Sequence, residues 1–297
     1  MTWKCNLCPR KCNVDRKNQL GVCGASTTIK IARAALHFWE EPCISGEKGS
    51  GTIFFSHCSL QCVFCQNYRL SHDHPLGEEI TISQFADICL DLQEQGANNI
   101  NLVTPTHYVP WIVEGFKLAK KRGLHLPIVY NTSAYESVET IRMLDGIVDI
   151  YLPDLKYFDV QYGILYSHAP NYFFYATEAI KEMVKQVGEP ILNEQGILQR
   201  GVIVRHLCLP GLKEDSKKVL HYLYTTYHNQ IYISIMNQYT PIRHFKRFSN
   251  LNQTLLEDDY DEIIDYALDI GITQAYQQEG ETQLESFIPE FKNKVTE

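Results

Sequence analysis

Three thiols stand within eight residues at Cys58, Cys62 and Cys65, spaced C-x3-C-x2-C, with Phe64 before the last of them. Thiolates select soft metals: iron–sulfur clusters, zinc or copper(I). Four thiolates close a structural site, whereas three leave a position open for chemistry. A cubane cluster held by three cysteines would keep one iron free for an added ligand. A second group, Cys5, Cys8, Cys12 and Cys23, lies beside Pro9, Arg10 and Gly21 with little core-type sequence between them. Four thiolates suit a closed tetrahedral zinc site or a second iron–sulfur cluster, and spacing does not choose between them. So short a segment gains stability if metal binding drives its folding. Cys43 could replace one member of this group or approach the active site. Cys89, on an apolar helix face, and Cys208, expected in a strand, read as core.

The setting favours metal or redox chemistry over disulfides. The opening residues Met1-Thr2-Trp3-Lys4-Cys5 lack the apolar core of a signal peptide, so a cytoplasmic location is expected. No apolar run approaches the roughly 18 residues of a membrane span. Ten cysteines in a reducing compartment then point to metals. The net charge of −8 is uneven: residues 257–297 hold 12 acidic and 2 basic side chains, leaving the rest near +2. That lack of a broad basic field argues against a bulk nucleic-acid binder. The acidic end reads as a solvated face. Walker A, G-x-G-x-x-G and G-x-S-x-G motifs are absent, which argues against the mechanisms they serve.

The elements that must position these thiols follow from residue 51 onward, where short β-rich runs alternate with helical patterns. Gly51-Thr52-Ile53-Phe54-Phe55 reads as a buried strand leading into Cys58. Thr81 with Gln84 forms a capping box for a helix whose apolar face is Ile82, Phe85, Ala86, Cys89 and Leu92, ended by Gly96. Further strands are predicted at 99–103, 127–131, 149–152, 201–207 and 231–235. Helices are predicted at 110–122, 136–144, 172–186, 215–227 and 257–270. Six strands interleaved with helices mean a parallel sheet with right-handed crossovers. Periodicity does not separate an open sheet from a partial barrel, but either places functional residues at the strands' C-terminal ends. Among the histidines, His57 and His107 read as structural polar groups, and His206 could line the cavity. The stretch 243–248 is a small basic and aromatic patch, read as a solvated loop.

With the triplet and its aromatic, the chain resembles the radical S-adenosylmethionine (SAM) superfamily. It is most similar to that superfamily's pyruvate formate-lyase activating enzyme-like group, over almost its whole length. The stretches that carry this are Glu40-Glu41-Pro42-Cys43-Ile44-Ser45-Gly46, Val103-Thr104-Pro105-Thr106-His107, Asn131-Thr132-Ser133, Leu152-Pro153-Asp154-Leu155-Lys156-Tyr157 and Val204-Arg205-His206-Leu207-Cys208-Leu209-Pro210-Gly211. The resemblance implies that Cys58, Cys62 and Cys65 hold a 4Fe–4S cluster whose open iron chelates SAM. An electron then cleaves SAM to methionine and a 5′-deoxyadenosyl radical, which abstracts hydrogen from substrate. It implies SAM contacts from Phe64 (through backbone, to adenine), Asn131, Thr132, Asp154, Lys156 and Arg205. Thr104 and Thr106 stand where many members carry Gly-Gly-Glu.

The expected architecture is α/β: a partial (β/α)6 TIM-like radical SAM barrel over 51–275, a cysteine-rich metal-binding extension over 1–50, and an acidic tail over 276–297. The expected partners are an electron donor of flavodoxin or ferredoxin type and, by resemblance, a glycyl-radical enzyme that the chain activates. Radical modification of a small molecule, peptide or RNA is the alternative. A non-enzymatic zinc-binding protein is a third reading.

Overall fold

The computed structural model describes residues 4–72 and 75–278. Of the acidic tail expected over 276–297, residues 279 onward lie outside the described residues. Tyr276 and Gln277 fall in a short strand.

The strands are β1 (Ile29–His37), β2 (Ser50–Phe55), β3 (Glu78–Ile80), β4 (Ile100–Val103), β5 (Ile128–Thr132), β6 (Ile150–Pro153), β7 (Ile191–Leu192), β8 (Leu198–Leu207), β9 (Tyr232–Met236) and β10 (Ala275–Gln277). The helices are α1 (Pro42–Ser45), α2 (Tyr68–Ser71), α3 (Ile82–Glu94), α4 (Val109–Lys121), α5 (Val138–Arg142), α6 (Val160–Ser167), α7 (Tyr172–Val187), α8 (Lys213–Tyr227) and α9 (Glu257–Asp269). One sheet runs β10-β9-β8-β6-β5-β4-β2-β1-β3. The six expected strands β2, β4, β5, β6, β8 and β9 pair parallel in sequence order. β10 extends them, also parallel. β1 pairs antiparallel with β2 and β3, so the sheet begins inside the segment expected as the front module. Its two ends do not pair among the described residues, which makes this a partial (β/α)6 barrel.

Local chemistry explains the elements that position the site. Thr81 accepts from the Gln84 amide while the Gln84 side chain accepts from the Thr81 amide, so α3 opens with both ends of its capping box made. Phe85 from α3 lies against Gly115 of α4, where a Cβ would come within 2.4 Å of its ring, so the two helices pack closely only because of that glycine. Along each strand, successive side chains face opposite sides. Tyr130, Tyr151, Val202 and Val204 turn outward into the main core beneath the helices. Their neighbours Val129, Ile150, Leu152 and Ile203 turn inward and meet Cys43 and Ile44 of α1, which plugs the inside of the sheet. Cys43 is therefore a buried plug residue. Cys89 lies in the main core, as does Cys208, which stands just past the end of β8 rather than within it. Among the described residues no helix is long and apolar enough to cross a membrane.

Candidate active site

The inward register continues past the plug. One step further along each strand, apolar residues give way to polar ones. Thr104 follows β4, Asn131 and Thr132 end β5, Asp154 and Lys156 follow β6, and Arg205 lies near the end of β8. All of these line one cavity with Phe64 and with Cys58, Cys62 and Cys65 from the loop after β2. The sequence-predicted site thus assembles in one place, at the C-terminal ends of the parallel strands.

Thr106 is the exception. Its hydroxyl is buried and donates to Glu136 at 2.6 Å, and it is not among the residues that line the cavity. His206 also points away: alternation puts it on the outer face, where its ring nitrogens meet the Leu155 carbonyl at 2.7 Å and Ser216 Oγ at 2.9 Å. His107 bonds the Ser56 carbonyl at 2.8 Å, a structural contact.

The three thiols are buried or half-buried, and all ten cysteines are free. Each sulfur of the triplet accepts a hydrogen bond: Cys58 from the Leu60 amide at 3.4 Å, Cys62 from the Ser167 hydroxyl at 3.1 Å, and Cys65 from the Ser71 hydroxyl at 3.3 Å. Burial pushes the Cys58 thiol up to about 12 and Cys65 to about 11, and it raises Cys62 as well. A bare thiolate is costly here, so these sulfurs suit a cationic partner. Among the described residues no three His, Cys, Asp or Glu are grouped closely enough to hold a single ion. A cubane cluster is wider than one ion and spreads its ligands further. The loop also holds left-handed backbone at two residues other than glycine, His57 (φ 75°) and Gln61 (φ 55°). Such strain persists where surrounding contacts fix it.

The charged groups are arranged rather than loose. Lys156 donates to Asp154 at 2.6 Å, with both side chains largely buried. Burial works against its charge, but Asp154 and the nearby Cys62 more than offset this and raise its pKa. Tyr172 donates to the Asp154 carbonyl at 2.7 Å and accepts from the Lys156 amide at 3.0 Å, which fixes the turn after β6. Arg205 is held by two carboxylates, Glu41 (Nε to Oε1, 2.8 Å) and Glu40. Its carbonyl accepts from the Leu155 amide, which ties β8 to the Asp154 turn. The Phe64 ring turns into the core, edge-on to Tyr157, Tyr166 and Tyr239.

Sequence reasoning gave no site role to His37, which ends β1, or to Trp39 and Glu40 in the arm after it, all of which line the cavity. The Glu40-Glu41-Pro42-Cys43 stretch was visible, but nothing in it says that the arm crosses inside the sheet. Ser71 and Ser167 carry no local signal at all.

No protein-family model matches the chain. Its fold is that of the radical SAM enzymes. Solved structures with this fold include a radical SAM methyltransferase from Sphaerobacter thermophilus (TM-score 0.52, 13% identity, 91% of this chain and 81% of that one). HydG, a maturase of the FeFe-hydrogenase, is similar at TM-score 0.54 and 14% identity, over 82% of this chain and 55% of HydG. SuiB of Streptococcus suis, solved with its precursor peptide SuiA, is similar at TM-score 0.51 and 13% identity, over 76% of this chain and 47% of SuiB. The chain thus spans about half the length of HydG and SuiB. In sequence it is similar to an uncharacterised protein of Methanocaldococcus jannaschii, 27% identical over 276 residues, 89% of this chain and 74% of that protein.

Proposed function

We propose that this chain is a radical SAM enzyme in which Cys58, Cys62 and Cys65 hold a 4Fe–4S cluster and the polar strand ends bind SAM. The observation that carries this reading is the meeting of three thiols, each accepting a hydrogen bond, with the polar ends of four parallel strands in one cavity. When bound, the cluster supplies the electron that cleaves SAM to methionine and a 5′-deoxyadenosyl radical. The chain's own residues do the rest. Lys156, held by Asp154, offsets negative charge beside Cys62. Thr104 and Asn131 present polar groups at the rim and Thr132 lines it with its hydroxyl turned to Glu136, while Phe54, Leu60, Val103, Leu207 and Met236 form walls that exclude water from a reactive radical. The electron comes from a flavodoxin- or ferredoxin-type donor.

For the substrate, the sequence resemblance favours hydrogen abstraction from a glycine of a partner glycyl-radical enzyme. A second reading, modification of a peptide, has its own support. Trp39 lines the cavity yet is 65% exposed, an aromatic platform for an extended chain. SuiB, which shares the fold, is solved with a precursor peptide. Anaerobic reconstitution with iron and sulfide, followed by dithionite and SAM, is expected to yield 5′-deoxyadenosine, and Cys58→Ala to abolish it. A reconstituted protein that binds only zinc and leaves SAM intact would end the enzyme reading. A glycyl-type radical in a co-incubated partner, or its absence with a peptide product instead, separates the two substrates.

A further inference from the structure

We infer that Cys5, Cys8, Cys12 and Cys23 hold a second thiolate-bound metal centre, and that this centre braces the Cys58–Cys65 loop from behind. Residues 4–28 form no helix or strand. Their buried side chains are Cys5, Leu7, Cys8, Arg16, Cys23 and Ala25, so half of this small core is thiol. Apolar burial on that scale does not hold an irregular segment against its chain entropy, whereas a metal–thiolate centre does.

The backbone already gathers the four cysteines. Amides of Cys5 and Asn13 bond the Val14 and Cys5 carbonyls at 2.9 and 3.0 Å, and the Lys11 amide bonds the Cys8 carbonyl at 3.0 Å. The Val22 amide donates to Cys12 Sγ at 3.3 Å, and a Cβ on Gly21 would stand 3.0 Å from that sulfur. Lys11 (φ 43°) and Asn13 (φ 56°) hold left-handed turns between them. None of the four lines the cavity, so the centre lies apart from the proposed substrate site. Since no three ligands yet stand at single-ion spacing, metal uptake draws the thiols inward or seats a cluster.

The same residues grip the catalytic loop. Arg10, between Cys8 and Cys12, donates to four carbonyls: Ser59 at 3.0 Å, Leu60 at 3.2 Å, Ser167 at 2.9 Å and His168 at 2.5 Å. Gln61 donates to the Val22 carbonyl at 3.2 Å, one residue before Cys23. Ser59, Leu60 and Gln61 are the residues between the first two ligands of the triplet, and Ser167 is the donor to Cys62. Order in the front module therefore reaches the triplet through Arg10.

The metal half stands alone; the bracing half rests on the proposed function. Metal analysis of the full chain carrying Cys58→Ala, Cys62→Ala and Cys65→Ala is expected to find one front centre per chain, either a zinc ion or an iron–sulfur cluster. Cobalt exchange and Mössbauer spectroscopy tell these apart. Native mass spectrometry of the wild-type holoprotein is expected to show two centres, and a metal content that is unchanged when Cys5 and Cys8 are both replaced by alanine overturns the proposal whether or not the triple variant folds. Arg10→Ala is expected to keep the front metal but lower SAM cleavage about tenfold, as loss of an outer-shell partner does, with an altered EPR signal from the triplet's cluster. Unchanged cleavage and EPR in that variant would sink the bracing role. If wild-type protein cleaves no SAM, the enzyme reading fails while the metal count still tests the front site.

Discussion

At the scale of single residues, the sulfur hydrogen bonds and one buried carboxylate govern the site's behaviour. Hydrogen bonds to cluster sulfurs help set reduction potential. Ser167→Ala removes the donor to Cys62 and Ser71→Ala the donor to Cys65, so each is expected to make the reconstituted cluster harder to reduce, as read by an EPR-monitored redox titration. A shift toward easier reduction would contradict this. Glu136 is fully buried, and one of its oxygens accepts from Thr106, Thr132 and Tyr130, while the other has no partner. Burial raises its pKa to about 7, against the opposing effect of the three hydroxyls. The folded state thus binds this proton more tightly than the unfolded state does. Stability from this group falls as pH rises from about 4.5 to about 7, by on the order of 3 kcal/mol. Glu136→Gln keeps an acceptor for the hydroxyls and cannot ionise, so its Tm should lack that decline; superimposable Tm profiles for the two proteins across this range would refute the assignment. This carboxylate also explains why Thr106 was misplaced by sequence reading. Spacing put two threonines at one strand end, but a glutamate 30 residues on draws Thr106 away from the cavity, and nothing local announces it.

Among elements, the arm between β1 and α1 matters more than its length suggests. Glu40 and Glu41 reach Arg205 of β8 with all three side chains largely buried, and Asn101 of β4 donates to Glu40 at 2.8 Å. Removing one member of a buried ion group strands the others, at a cost of about 3–5 kcal/mol. Arg205→Ala is therefore expected to lower the unfolding free energy read from a urea titration by an amount of that order. A change below about 1 kcal/mol would mean that the carboxylates are solvated, as exposed pairs are. Arg205 was legible from its motif; its partners were not, because an ion pair across more than 160 residues leaves no periodic trace. The six parallel strands were legible for the opposite reason. Each is a short apolar run next to a stretch of helical periodicity, and both signals are local. β1 escaped because its alanine-rich run IKIARAALH lacks a clean alternation, and its strand character comes from pairing with β2 and β3. α6 escaped similarly, since its apolar residues do not gather on one face; Val160, Ile164 and Leu165 stay exposed.

For the molecule as a whole, the cavity draws its lining from nearly every unit of the barrel, from His37 at the end of β1 to Gln238 just past β9. A ligand there bridges strands that otherwise meet only through their neighbours, and among the described residues the sheet's two edges do not pair with each other. Ligand binding to the native state alone stabilises by RT ln(1 + [L]/Kd), or about 2.7 kcal/mol at a hundredfold excess over Kd. For a chain of this size that corresponds to a rise in Tm of about 5 °C. SAM added to the anaerobically reconstituted protein is expected to produce a shift of this order. Protection from hydrogen exchange should appear at Asn131–Ser133 and Asp154–Lys156 together, although 20 residues separate them. Cys65→Ala, lacking a cluster ligand, should show neither effect. If SAM protects only the loop carrying the cysteines and leaves the strand ends exchanging freely, then SAM does not bridge the barrel, and the roles assigned to Asn131, Thr132, Asp154 and Lys156 fail together.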